Sequence, residues 1–196
     1  MRALPAALLL ALALSVAADE APRVVLETPL GEIEIAVDAA RAPVTARNFL
    51  RYVADGHYDG ARFHRTVTPE NQPDKKVKID VVQAGVAPAR ENDGFAPIPL
   101  ERTRDTGLRH VDGAVSMARD TPDSATSDFF VCVGDQPSLD FGGARNPDGQ
   151  GFAAFGRVVR GMEVVRKVWQ SPANGQRLDP PVPILRARVV KADPPR

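Results

Sequence analysis

The heptad Ala61-Arg62-Phe63-His64-Arg65-Thr66-Val67 decides how this chain is read. Apolar and β-branched side chains alternate there with large polar ones, the period of a half-buried strand with one face toward a core. On that alternation Arg65 falls on the face opposite His64. An arginine standing on a rigid strand between apolar neighbours is either a solvated surface charge, the commoner case, or a guanidinium fixed toward a ligand. The segments around it choose between the two.

Upstream, residues 24–28 and 32–37 read as a hairpin turned at Pro29-Leu30-Gly31, with Ile33, Ile35 and Val37 on its core face. Residues 42–56 predict a helix, from the proline near the start, the good helix formers within and Gly56 as its stop. Downstream, residues 68–76 are polar and proline-broken, a surface loop, and 77–84 resume as a strand with Gln83 near its end. Residues 88–109 keep no period and form a long excursion. Short strands follow at 113–118 and 128–133, joined by small, turn-forming residues whose backbone can lie close to a ligand. Beyond a second polar loop at 142–151 come a strand at 155–160, a helix at 162–169 and a last strand at 183–190. The helix carries Met162, Val165, Val168 and Trp169 on one stripe. The pattern counts eight strands and two helices with no βαβ alternation. The expected class is all-β (mainly β): an eight-stranded antiparallel closed barrel capped by two α-helices.

The chain has 196 residues, enough for one domain with a self-sufficient core. Lys and Arg number 25 against 25 Asp and Glu, a balance that gives no reason to expect a nucleic-acid or anionic-membrane partner. Residues 1–18 stand apart. Met1-Arg2 precedes a short Leu/Ala run from Leu8 to Leu14, and Ser15-Val16-Ala17-Ala18 suits a signal peptidase. The run is too short to span a bilayer. It reads as a secretory signal peptide, leaving 19–196 as a single domain in the periplasm or secreted. The one cysteine, Cys132, sits in an apolar run and reads as a buried, inert thiol.

The usual catalytic inventories come out empty. Three histidines, His57, His64 and His110, show no His-x-x-x-His spacing, and Cys-x-x-Cys is absent, so neither a metal nor a cofactor is expected. Neither a Gly-x-Ser-x-Gly elbow nor a phosphate-binding glycine loop occurs. What remains is binding, or chemistry in which no covalent bond is exchanged.

An ordered set of segments bears on this. They are Ala42-Pro43-Val44-Thr45 with Asn48-Phe49, Phe63-His64-Arg65, Gln83-Ala84-Gly85, Ser116-Met117-Ala118-Arg119, Ser124 to Phe130, Leu139-Asp140 and Phe155-Gly156-Arg157-Val158. Together they resemble the cyclophilin family of peptidyl-prolyl isomerases over almost the whole chain from Val24. The resemblance implies a cyclophilin-like barrel, cis-trans isomerisation of X-Pro bonds in proline-containing polypeptides during folding of exported proteins, no cofactor, and a monomer. It implies that Arg65 is the catalytic group, donating toward the prolyl nitrogen. It assigns substrate binding to Val81, Gln83, Ala118, Arg119, Asp128, Phe130, Leu139 and Phe152. Phe130 and Leu139 would wall the proline pocket, with Val81 where the family often has methionine, and the Ala118–Arg119 backbone would grip the residue before proline. His64 then becomes structural, facing away from the groove.

Several positions depart from the pattern. Asp80 stands where a pocket phenylalanine is usual, with Ile79 in its place if the strand is bulged. Asp128 replaces a glutamine, so one donated contact is lost or reversed unless Asp128 pairs with Arg65. Phe152 keeps an aromatic ring without a polar tip, and Ser138 replaces a tryptophan of cyclosporin-sensitive forms, which implies weak inhibition by that drug. An insertion falls at residues 68–78, at the edge of the groove. These departures motivate the alternative, a proline-peptide-binding chaperone or interaction module with little turnover.

Overall fold

The structure is a computed structural model that describes residues 21–190; the signal peptide expected at 1–18 lies outside them. Ten strands form one antiparallel sheet: β1 (Arg23–Thr28), β2 (Gly31–Val37), β3 (Ala61–Val67), β4 (Val81–Gly85), β5 (Ala114–Met117), β6 (Phe129–Cys132), β7 (Ala153–Arg160), β8 (Ala173–Asn174), β9 (Arg177–Ile184) and β10 (Arg186–Val190). Their order is β10-β1-β2-β7-β5-β6-β4-β3-β9-β8. The helices are α1 (Pro43–Ala54), α2 (Thr103–Thr106) and α3 (Met162–Trp169).

The strand count differs from the expected eight because the C-terminal segment is longer and broken. β9 carries three prolines, which argue against a strand in sequence. It tolerates them because, among the described residues, β8 covers its outer edge only opposite Arg177 and Leu178. The ladder itself is open, with β10 and β8 at its two ends. Only Leu185 separates β9, paired with β3, from β10, paired with β1. The additional helix, α2, a single turn, lies in the excursion before β5. The strand expected from residue 77 begins at Val81.

Two apolar layers explain why β6 reads as continuously hydrophobic. Phe129 and Val131 join the main core, whereas Phe130 and Cys132 join a second cluster on the outer face of the sheet with Val67, Ile79, Val81, Ala114 and Leu139. A strand covered on both faces loses its alternation. β4 divides the same way, Val82 and Ala84 inward, Val81 outward. Burial also pushes the Cys132 thiol well up, which keeps it inert.

The core proper is aromatic. Phe49 of α1 packs on Tyr58, Phe129 and Phe155 with ring centroids 4.9–5.6 Å apart. Ala42 cannot cap α1 with its side chain, so Glu101 from the excursion supplies the carboxylate: it accepts from the Val44 and Thr45 backbone N–H groups at 3.1 and 2.8 Å and from the Thr45 hydroxyl at 2.6 Å. Asn48 of the same helix donates to the Thr126 carbonyl at 2.6 Å, and Tyr58 to that of Ser127 at 2.6 Å. The connector before β6 is thereby tied to the core. At the other end α3 buries Val164, Val165 and Val168, with Met162 and Trp169 only partly covered. The Trp169 indole donates to the Val67 carbonyl at 2.9 Å, and Thr66 donates to that of Trp169 at 2.7 Å, which anchors β3.

Outside the core, Glu34 of β2 accepts from Arg23 at 2.8 Å and from Arg160 of β7 at 3.0 Å, linking three strands. The Arg23 hydrogen bond, opposed by burial and helped by Arg160, holds its carboxyl below the ordinary value of 4.5. A depressed carboxylate contributes stability above its unfolded-state pKa and loses it as pH falls through the folded one. Glu34→Gln should therefore cost about 1 kcal/mol at pH 7, and the gap from wild type should close as pH drops below 4.5, read by urea unfolding at a series of pH values.

Candidate active site

The outer apolar cluster floors a cleft of about 370 Å³, and the nine residues expected to act on substrate all line it: Arg65, Val81, Gln83, Ala118, Arg119, Asp128, Phe130, Leu139 and Phe152. Ile79 lines it too, while Asp80 does not; residues 79, 81 and 83 follow one face, so Ile79 takes the pocket position without a bulge in β4. Asp80 turns away, and burial raises its carboxyl above the ordinary range.

Arg65 reaches the cleft through an irregularity in β3. Phe63 pairs with Ala84 and Arg65 with Gln83, so two steps on β3 match one on β4, and His64 is the extra residue of a bulge. Strict alternation would put Arg65 on the same face as Phe63, inside the core. The bulge shifts the phase and delivers the guanidinium to the outer face beside Gln83.

The half-buried guanidinium is held on two sides. Its Nη1 donates to Gln83 Oε1 at 2.9 Å, and Nε and Nη2 donate to Gln176 Oε1 at 3.0 and 2.6 Å. That leaves one hydrogen on each Nη without an acceptor among the described residues. Burial lowers the pKa of the group, which nonetheless stays charged at neutral pH. Asp128 makes no ion pair with Arg65; its Oδ2 accepts from Gln83 Nε2 at 2.9 Å. The carboxylate thereby fixes the Gln83 amide, carbonyl toward Arg65 and NH₂ toward itself. Gly85 makes room, since a Cβ there would come within 2.5 Å of Asp128 Oδ1.

His64 does not line the cleft, yet it reaches one of the residues that do. Its Nε2 lies 3.6 Å from the same Asp128 oxygen. Burial, outweighing the pull of Asp128, holds the ring's pKa below the ordinary histidine value, so it is neutral at pH 7.

Gln176, absent from the sequence reading, belongs to the tight turn between β8 and β9. It is joined to the insertion: its Nε2 donates to the Asn71 carbonyl at 3.2 Å, and Asn71 donates to that of Gly175 at 3.2 Å. A signal did exist, the glycine at 175, which takes a positive φ of 61° as the first residue of the two-residue loop 175–176. Nothing in it pointed to Arg65, 111 residues away in sequence.

The apolar wall is equally fixed. Phe130 and Phe152 meet edge to face at 5.4 Å, and His110 stacks behind Phe130 at 6.0 Å. That ring is buried, with Nδ1 2.8 Å from Asp140 Oδ1 and Nε2 3.0 Å from Ser116 Oγ. The Arg119 side chain forms a bidentate pair with Asp148 at 2.8 and 3.0 Å and donates to the Gly151 carbonyl, fastening the 142–151 loop beneath Phe152. The Ala118 N–H is taken by the Asp128 carbonyl at 2.8 Å. Among the described residues no group of three or more His, Cys, Asp or Glu is placed to hold a metal ion.

This geometry agrees with what the chain is similar to. The sequence profile described as "Cyclophilin type peptidyl-prolyl cis-trans isomerase/CLD" matches residues 23–189. Peptidyl-prolyl cis-trans isomerase A of Dickeya dadantii is 36% identical over 183 residues, covering 89% of this chain and 88% of that protein. A peptidyl-prolyl cis-trans isomerase of Streptomyces antibioticus is 35% identical over 168 residues, covering 81% and 90%. A cyclophilin type isomerase of Cryptosporidium parvum, crystallised in the presence of the dipeptide Ala-Pro, shares the fold at a TM-score of 0.69 and 19% identity, covering 87% of this chain and 99% of that one. The chain belongs to the cyclophilin-type peptidyl-prolyl cis-trans isomerases.

Proposed function

We propose that Arg65 carries the isomerase activity of this chain and that the cleft binds the proline of a polypeptide against Phe130, Leu139, Phe152, Val81 and Ile79. The observation that carries this reading is the clamped guanidinium beside an apolar pocket. Rotation about an X-Pro bond must overcome a barrier of roughly 20 kcal/mol set by amide resonance. As the bond twists, the prolyl nitrogen lone pair ceases to be delocalised and becomes an acceptor. A donor fixed next to it binds the twisted amide better than the planar one, which lowers the barrier rather than merely tightening binding. Gln83 and Gln176 hold the donor, and the Ala118–Arg119 backbone positions the residue before proline.

The binding-only alternative drew on Asp128 and the inserted loop. Both act here on the groups around Arg65, Asp128 through Gln83 and the loop through Gln176, which favours turnover. We further infer that residues 1–18 direct export, that the enzyme works as a monomer on proline-containing chains in the periplasm or outside the cell, and that the sheet forms a barrel whose seam is bridged by residues 177–190.

In a protease-free assay on an Ala-Pro peptide, Arg65→Ala should lower kcat/KM about a hundredfold with thermal stability little changed; full activity in that variant would defeat the mechanism. Gln176→Ala should lower kcat about tenfold at nearly constant KM, while Gln176→Glu, which still accepts both Arg65 donors, should retain most of it. A parallel loss in both Gln176 variants would make Gln176 a fold residue only. For export, N-terminal sequencing of protein from the periplasmic fraction should begin at Asp19, and an intact Met1 in the cytoplasm would contradict it.

A further inference from the structure

Besides Arg65 and the Asp148-paired Arg119, the cleft holds a guanidinium that the mechanism does not use. Arg145, from the 142–151 loop, lines it together with Arg65 and is half-buried. Its placement is built. Nη1 donates to Gln72 Oε1 at 2.8 Å and to the Val77 carbonyl at 2.8 Å, and its backbone N–H donates to the Ser138 carbonyl at 3.1 Å. Gln72 is itself buried and braced, its Nε2 donating to the Thr68 and Ile79 carbonyls at 2.8 and 2.7 Å. The two loops thus fix one cation against the groove.

What Arg145 lacks is a counter-ion. Arg119, in the same cleft, has Asp148. Neither Arg145 nor Arg65 has a carboxylate within 4.0 Å among the described residues. Burial and the neighbouring Arg65 charge both lower the pKa of Arg145, as expected for two cations facing one space without an anion between them. The Nε and Nη2 groups of Arg145 have no acceptor in the described residues, which leaves open the edge of the fork that best suits a carboxylate.

The cleft's two carboxylates come from the segment around the Ala118–Arg119 pair. Asp120 follows that pair in sequence, and the Ala118 N–H bonds the carbonyl of Asp128. On the reading given above, that segment receives the residue before proline. Arg145 is tied to Ser138, the neighbour of Leu139, and on the same reading it faces the chain that follows proline. An acidic residue before proline would meet Asp120 and Asp128, whereas one after proline would meet Arg145.

We propose that Arg145 is a specificity-determining residue that selects peptides carrying a carboxylate side chain immediately C-terminal to the isomerised proline. The inference rests on the proposed orientation of substrate in the Arg65 cleft. It assigns a use to both loops, which together form the basic wall.

The test is a series of tetrapeptides, Ala-Ala-Pro-Glu, Ala-Ala-Pro-Gln and Ala-Ala-Pro-Lys, all C-terminally amidated, with Ala-Glu-Pro-Ala as positional control, on the wild type, R145Q and R145E. Wild type should favour Glu over Lys after proline by about fivefold in kcat/KM at low salt. The ratio should fall toward one in 1 M salt, where the Debye length is about 3 Å. R145Q should level the series, R145E should reverse it, and glutamate before proline should bring no gain. Equal rates on the Glu and Lys peptides in wild type, or a preference that survives in R145Q, would overturn the proposal. Should the variants fail to fold, the wild-type ratio and its salt dependence decide alone. No acceleration on any peptide would instead refute the Arg65 mechanism, and the same Glu-to-Lys ratio would then be read as affinity by calorimetry.

Discussion

The bulge at His64 is the constraint on which the site depends. A strand offers one core face and one outer face, and the core face of β3 is already fixed by Ala61 and Phe63. An unbroken period would bury a charged guanidinium in an aromatic core, at a cost of many kcal/mol. One inserted residue changes the phase. Phe63 stays inside, Arg65 emerges, and Thr66 and Val67 follow in the new register, Thr66 buried and bonded to the end of α3. The residue that makes this possible, His64, remains within reach of Asp128.

Around the emergent arginine the chain builds a polar frame from distant parts. Gln83 comes from the neighbouring strand, Gln176 from the last hairpin, and each is oriented by another group, Asp128 in one case and the inserted Asn71 in the other. A guanidinium with one anchored edge rotates; with two it keeps a direction, and direction is what a group acting only in the twisted state requires. The aspartate that looked like a loss in the sequence supplies an acceptor where the Gln83 amide needs one. The inserted loop, likewise, braces both Gln176 and Arg145 rather than obstructing the groove.

The sequence carried the mainly-β class, the two longer helices and nine of the fifteen residues that line the cleft, because these rest on local periodicity and on an ordered set of motifs. It carried less where structure is non-local. Three prolines hid β9, whose pairing is legible only once β3 lies beside it. The bulge left no mark in composition, since Ala61 to His64 alternates correctly and the slip appears only in the pairing with β4. Gln176 and Arg145 reach the site across 111 and 73 residues from their partners Arg65 and Gln72, distances at which a single sequence has no signal. Asp128 was located with its pairing to Arg65 left open: both Arg65 and Gln83 could satisfy a carboxylate, and Gln83 is the one that does, across the register of β4 against β6.

The account stands or falls on where the Arg65 guanidinium points when a proline peptide is bound. The most direct measurement is a crystal structure of the protein with Ala-Pro or a longer proline peptide in the cleft. The account predicts the pyrrolidine ring between Phe130, Leu139 and Phe152, and an Arg65 Nη within about 3.5 Å of the prolyl nitrogen or its flanking carbonyl, with both Gln83 and Gln176 contacts intact. A peptide seated away from Arg65, or an arginine released from both glutamines on binding, would contradict it.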